Sequence, residues 1–185
     1  MIYLLENPEG CKQQTLARGL LALGLYQEYG ITGEIAVKTA PLGKPYLPEY
    51  SQIHFNYSHC RCGILCGIHS GEIGVDIENI IPFKENLVNR ICHPNERSLF
   101  SGAADRARTL TAVWTAKECY LKYLGTGIRS DLRKIDLSAC IQKHVPIGEV
   151  YVHSILEESY GIGICCNEPQ VRIKKVDMGE LGRFL

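Results

Sequence analysis

The chain has 185 residues, 45% of them hydrophobic and 22% charged, enough for one domain or two small halves sharing a core. Its 20 basic and 20 acidic side chains leave no net charge, which weighs against a nucleic-acid binder, a class that ordinarily carries a basic excess. No apolar run reaches the length of about 18 residues that a membrane span requires. The opening Met1-Ile2-Tyr3-Leu4-Leu5-Glu6 lacks the basic start of a signal peptide. A cytoplasmic protein with no membrane partner is expected. The nine cysteines are odd in number and contain no C-x-x-C pair, so they read as reduced thiols, mostly small core hydrophobes. The ligands in His59-Cys60-Arg61-Cys62 lie too close together in sequence for structural zinc.

In chain order, residues 2–5 are a short apolar run that predicts a strand. Residues 11–29 carry Leu16, Leu20 and Leu23 at helical spacing and predict an amphipathic helix, which Gly30 would end. Residues 34–38 alternate weakly as a strand. Pro41 to Pro48 reads as a loop holding Gly43-Lys44-Pro45. Ile53-His54-Phe55-Asn56 predicts a strand leading into Tyr57-Ser58-His59, and 63–69 and 72–78 predict two more. Residues 84–91 and the stretch starting at His93-Pro94 are helical, and 108–124 is the clearest helix of the chain. Gly125-Thr126-Gly127 closes it. Residues 149–156, 160–166 and 171–176 are strand candidates. Two runs, each a helix with several strands, predict an α+β fold of two halves, 1–70 and 71–185.

Two short motifs carry the chemistry. In Gly74-Val75-Asp76-Ile77-Glu78, residues two apart on a strand share a face. Asp76 and Glu78 then stand side by side, roughly 6–7 Å apart at Cα by strand rise, with Ile73, Val75 and Ile77 on the core side. Like charges that close call for a cation, and Mg²⁺ suits oxygen donors while keeping places for water and phosphate. Two ordinary acids on a solvated strand face are the plainer reading of the pair alone. The second motif runs from Trp114-Thr115-Ala116-Lys117-Glu118 to Lys122. Leu110, Val113, Trp114, Leu121 and Leu124 form an apolar stripe with Lys117 inside it, where a lysine needs an anion or a route to water. Glu118 and Lys122 are neighbours at i, i+4. They fit either a surface salt bridge or a metal ligand with a phosphate-facing cation, and Lys117 would be a second such cation. Ser58-His59 at a strand end can donate to phosphate, although a surface histidine explains His59 as well. The chain has neither a G-x-S-x-G elbow nor a P-loop.

Taken together, Gly43-Lys44-Pro45, Phe55-Asn56-Tyr57-Ser58-His59, Gly74-Val75-Asp76-Ile77-Glu78 and Trp114-Thr115-Ala116-Lys117-Glu118 to Lys122 resemble the 4′-phosphopantetheinyl transferases. The likeness is to their surfactin-type, pseudo-dimeric group and covers about residues 12–130. It implies two similar α+β halves related by pseudo-twofold symmetry, with the active site between them. It implies transfer of phosphopantetheine from coenzyme A to a serine of an acyl or peptidyl carrier protein, releasing 3′,5′-ADP. Asp76, Glu78 and Glu118 would hold Mg²⁺, or Mn²⁺ in its place. Glu118 would also take the serine proton, directly or through water, and Lys122 would steady the diphosphate. Ser58 and His59 would bind coenzyme A phosphate oxygens. Lys44 and Thr15 would lie near the adenine and ribose-phosphate end, and Lys117 would face phosphate.

The sequence departs from that pattern in two places. The basic N-terminal segment of larger members has no counterpart here, which leaves Lys12 and Arg18 as local substitutes beside Gln14. Cys60 stands where a second serine is usual. An alternative is therefore a coenzyme A- or carrier-binding protein that has lost efficient catalysis, and another is an interaction domain with an incidental acidic cluster. A two-half chain can complete its site alone, so a monomer is expected.

Overall fold

The computed structural model describes residues 1–8, 11–127 and 131–185. Strand β1 (Ile2–Glu6) leads to helix α1 (Gln13–Tyr29), which Gly30 ends in the left-handed conformation at φ 67°. A short hairpin follows, β2 (Lys38–Thr39) with β3 (Pro45–Tyr46). Then come β4 (His54–Cys60), β5 (Gly63–His69) and β6 (Gly74–Asn79). Helices α2 (Glu85–Ile91) and α3 (Pro94–Arg97) precede the long α4 (Arg106–Leu124). The chain closes with α5 (Ser138–Lys143), β7 (Tyr151–Leu156), β8 (Tyr160–Cys166), β9 (Ile173–Val176) and α6 (Met178–Leu181). None of these helices is long and apolar enough to cross a membrane.

The α+β class is as expected, and the layers show why the strands are so apolar. One sheet has the order β4-β5-β1-β9 and a second has β6-β8-β7. Their inner faces pack together through Ile2, Leu4, Leu65, Val75, Ile77 and Ile162. The other face of the first sheet, with Tyr3, Leu5, Phe55 and Ile64, is covered by Leu16, Leu20 and Leu23 of α1. Helix α4 covers the outer face of the second sheet. Central strands buried on both faces have no polar side to show, so β1 reads as an unbroken apolar run.

The structure changes several sequence expectations. Only the end of 34–38 is strand, and Pro45–Tyr46, expected as loop, pairs with it. The short helices α5 and α6 were not expected; they are too brief for apolar periodicity to stand out. Strand β9 crosses back to lie parallel to β1, so the last residues join the sheet of the first half. The chain passes from one sheet to the other between β5 and β6.

Helix α4 lies unusually close to its sheet, and glycine makes that possible. Gly74, Gly161 and Gly163 all face α4. A Cβ on Gly74 would stand 2.0 Å from the Cys119 carbonyl oxygen, and one on Gly163 would stand 2.2 Å from that of Thr115. Over Gly161 it is the Thr111 side-chain methyl that an added Cβ would meet, at 2.8 Å. Asp105 caps the helix, its Oδ1 accepting from the amides of Ala107 at 2.9 Å and Arg108 at 3.1 Å. Gly125, at φ 67°, ends it.

Gly74→Ala would force helix backbone away from sheet backbone, and a loss of about 3 kcal/mol or more is expected from urea unfolding. Gly182→Ala, where an added Cβ meets nothing within 4 Å, should stay within about 0.5 kcal/mol of the parent.

Candidate active site

The close seating of α4 brings three motifs into one seam between β4, β6 and α4. Asp76 is its centre. Its Oδ1 accepts a hydrogen bond from Ser58 Oγ at 2.8 Å and another from Lys122 Nζ at 2.7 Å. Lys122 Nζ also donates to the Val75 carbonyl at 3.1 Å. The Asp76 side chain is only 8% exposed, so these bonds work in a poorly screened setting. Val75 and Ile77 turn to the opposite face and join the core, which leaves Gly74, Asp76 and Glu78 toward α4.

Glu118 reaches the same seam from α4. Burial pushes its carboxyl pKa up, Asp76 and then Glu78 push it further, and Lys122 between them acts against both. Its Oε1 is buried and has no hydrogen-bond partner among the described residues. Glu78 is half-buried, and its Oε1 accepts from the amide of Asn79 at 2.8 Å. Of these three carboxylates, Asp76 alone bonds the Lys122 ammonium, whose charge also acts on Glu118. An orphaned carboxylate oxygen in such company suits a hard cation. Among the described residues, however, no three His, Cys, Asp or Glu side chains converge as a finished metal cage.

Of the remaining expected site residues, Lys117 needs correction. It is not a phosphate-facing cation. Its side chain is fully buried, and its Nζ pairs with Glu96 Oε2 at 2.9 Å and donates to the carbonyls of Leu132 at 2.8 Å and Ile135 at 2.6 Å. All three of its protons are committed to the interior. Glu96 in turn accepts from the amides of His93 at 2.8 Å and Leu137 at 2.9 Å. The pair binds α3, α4 and the 132–137 segment together.

Ser58 and His59 part company, because adjacent residues of β4 face opposite ways. Ser58 is buried on Asp76, while His59 is exposed. Thr15 lies exposed on the first turn of α1 and lines a groove of about 730 Å³ with Gln14, Arg18 and Phe184. A separate cavity of about 300 Å³ adjoins the seam and has Lys44, Lys122, Asn56, Tyr57 and Leu121 in its walls. Lys44 Nζ donates to the Tyr123 carbonyl at 2.7 Å and pairs with Glu72.

Two residues outside the expected set matter here. Asn56 Oδ1 accepts from the Val75 amide at 3.1 Å and so pins β6 to β4. Its place two residues before Ser58, on the same strand face, was the available signal. Glu72 could not be found that way, because its partner Lys44 is distant in sequence. The cysteines are all free, and burial pushes the Cys60 thiol up to about 11.

A carboxylate cluster beside a lysine-lined cavity offers oxygen donors of the kind a hard cation takes and ammonium groups of the kind a phosphate takes. A profile described as the 4′-phosphopantetheinyl transferase superfamily matches residues 72–165, about half of the chain. A 4′-phosphopantetheinyl transferase of Bacillus subtilis is 29% identical over 136 residues, 69% of this chain and 61% of that relative. The 4′-phosphopantetheinyl transferase HetI of Nostoc is 30% identical over 159 residues, 81% of this chain and 67% of that relative. The enzyme gsp of Aneurinibacillus migulanus is 29% identical over 125 residues, 66% of this chain and 52% of the relative. The matched stretch therefore spans roughly half to two thirds of these relatives' lengths. The chain belongs to the 4′-phosphopantetheinyl transferase superfamily.

The buried pair gives a direct test of the corrected role of Lys117. Glu96→Gln strands a buried ammonium and should cost about 3–5 kcal/mol in chemical unfolding. The double replacement Glu96→Leu with Lys117→Met should recover most of that loss. A stable single variant with weakened nucleotide binding would instead return Lys117 to the ligand site.

Proposed function

We propose that this protein transfers 4′-phosphopantetheine from coenzyme A to a serine hydroxyl of an acyl or peptidyl carrier protein, releasing 3′,5′-ADP, with Mg²⁺ or Mn²⁺ as the metal. The observation that carries this reading is the buried Glu118 Oε1, without a hydrogen-bond partner among the described residues, in a carboxylate whose pKa burial, Asp76 and Glu78 raise. Asp76, Glu78 and Glu118 would hold the ion. When bound, it would neutralise charge on the diphosphate and the leaving phosphate.

The rest of the chemistry falls to the chain. The carrier's serine Oγ forms the new bond to the phosphorus bearing the pantetheine arm, and the bond from that phosphorus to the oxygen of 3′,5′-ADP breaks. The serine proton passes to Glu118, directly or through one water. A carboxylate whose pKa is raised by burial is a better base than an ordinary one. Lys122 steadies the diphosphate and the charge on the leaving group, moving partly from Asp76 to do so. Ser58 donates its one hydroxyl proton to Asp76 and would turn it to a phosphate oxygen only on letting Asp76 go, with His59 beyond it. Lys44 would bind the nucleotide end from the cavity wall, and Thr15 would serve the same end of the ligand from α1. The nucleophile belongs to the partner, which fits the lack of an activated nucleophile in the seam among the described residues. A cytoplasmic monomer acting through two pseudo-twofold-related halves completes the proposal.

The test is mass spectrometry of apo carrier proteins incubated with the protein, coenzyme A and Mg²⁺. The carrier should gain the mass of one phosphopantetheine arm, and EDTA should abolish the gain. Asp76→Ala should remove the activity while leaving the circular dichroism spectrum intact. No gain on any acyl or peptidyl carrier would reject the transferase reading.

Stability offers a second measurement. The raised Glu118 pKa means its ionised form is penalised in the folded protein, fully so above the folded pKa. In chelator at neutral pH, Glu118→Gln should therefore unfold at a higher temperature than the parent. The advantage should fade as pH falls toward the ordinary value of 4.5. Added Mg²⁺ should stabilise the parent and not the variant.

A further inference from the structure

We propose that Glu72 is a built-in competitor for the anion site at Lys44, and so sets how tightly the protein holds a phosphate-bearing ligand. Two ammonium groups, Lys44 and Lys122, border the cavity beside the seam. Both are already engaged by carboxylates. Lys122 serves Asp76, a buried acid fixed by Ser58 as well. Lys44 serves Glu72, which stands in the loop between β5 and β6 with its side chain 47% exposed.

That difference in exposure decides which pair gives way. Lys44 itself is held from below. Its side chain is 17% exposed, and its Nζ donates to the Tyr123 carbonyl at 2.7 Å and lies 5.8 Å from the centre of the Tyr123 ring. The ammonium therefore stays where it is when its outer partner leaves. Glu72 has somewhere to go. Its Oε1 lies 3.2 Å from His54 Nδ1, and water reaches the rest of the group. An incoming phosphate carries more charge and more acceptor oxygens than a carboxylate, so it displaces Glu72 from Lys44. Binding then includes breaking the Lys44–Glu72 pair and keeping a displaced negative charge nearby. Both lower the affinity. The proposal rests on the transferase reading only in taking the ligand to bear phosphate.

Calorimetric titration of inorganic pyrophosphate and of coenzyme A, in chelator, into four proteins tests this. The proteins are the parent, Glu72→Gln, Lys44→Met and the double variant. Glu72→Gln should bind pyrophosphate about twofold to fivefold more tightly, as expected for release of a half-exposed ion pair. The gain should shrink as salt is raised, and it should vanish in the Lys44→Met background. Equal or weaker binding by Glu72→Gln, no binding by either protein, or an undiminished gain without Lys44 would overturn the proposal. Tighter pyrophosphate binding by Glu72→Gln while no carrier acquires the arm would uphold it and remove only the transferase reading.

Discussion

The contact of α4 with the glycine faces of β6 and β8 is the constraint on which the site depends. Helix backbone meets sheet backbone at Gly74 and Gly163 with no side chain between them. A helix held at ordinary distance would carry Glu118 and Lys122 away from Asp76. The close fit delivers both residues to the strand and keeps the seam poorly solvated. That setting makes an unpartnered carboxylate oxygen expensive and hence informative.

Two lysines five residues apart on this helix have opposite fates, and their surroundings explain why. Lys117 points into a layer formed by α3 and the 132–137 segment, where Glu96 and two backbone carbonyls satisfy it completely. It acts as an internal clamp and fixes the outer side of α4. Lys122 points to the seam, where Asp76 and the Val75 carbonyl hold it while its side chain remains 28% exposed. A cation that must meet a ligand has to keep some access to solvent. One that holds a layer together must lose it.

Much of this was legible in the sequence, because it depends on local periodicity. Alternation along β6 placed Asp76 and Glu78 on one face and Val75 and Ile77 in the core, and the structure agrees. The stripe of Leu110, Val113 and Leu121 was visible, yet it packs on the α2 side and not on the sheet. The sheet-facing side of α4 is Thr111, Thr115 and Cys119 over glycines, and small residues leave no hydropathy signal. Long-range pairings were invisible for a different reason. Glu96 with Lys117, Glu72 with Lys44 and the return of β9 to β1 each depend on how distant segments meet. Periodicity within one element says nothing about its neighbour. The same limit let Ser58 and His59 pass as one unit until β4 was seen to continue through both.

The two ends of the candidate site are built by different means, and this bears on what can vary. The carboxylate end is set by backbone approach. Gly74 and Gly163 meet α4 backbone directly, and Asp76 and Glu78 share the strand face of Gly74. Moving any of these elements would disturb the fold itself. The cationic end is set by side chains on loops and by a strand end. Lys44 sits beside the small β2–β3 hairpin, and Glu72 lies in the connection from β5 to β6. Substitutions there change charge and reach without moving backbone. Ligand affinity can therefore be tuned at the loops while the geometry around Asp76 stays fixed by the packing of a helix on glycine.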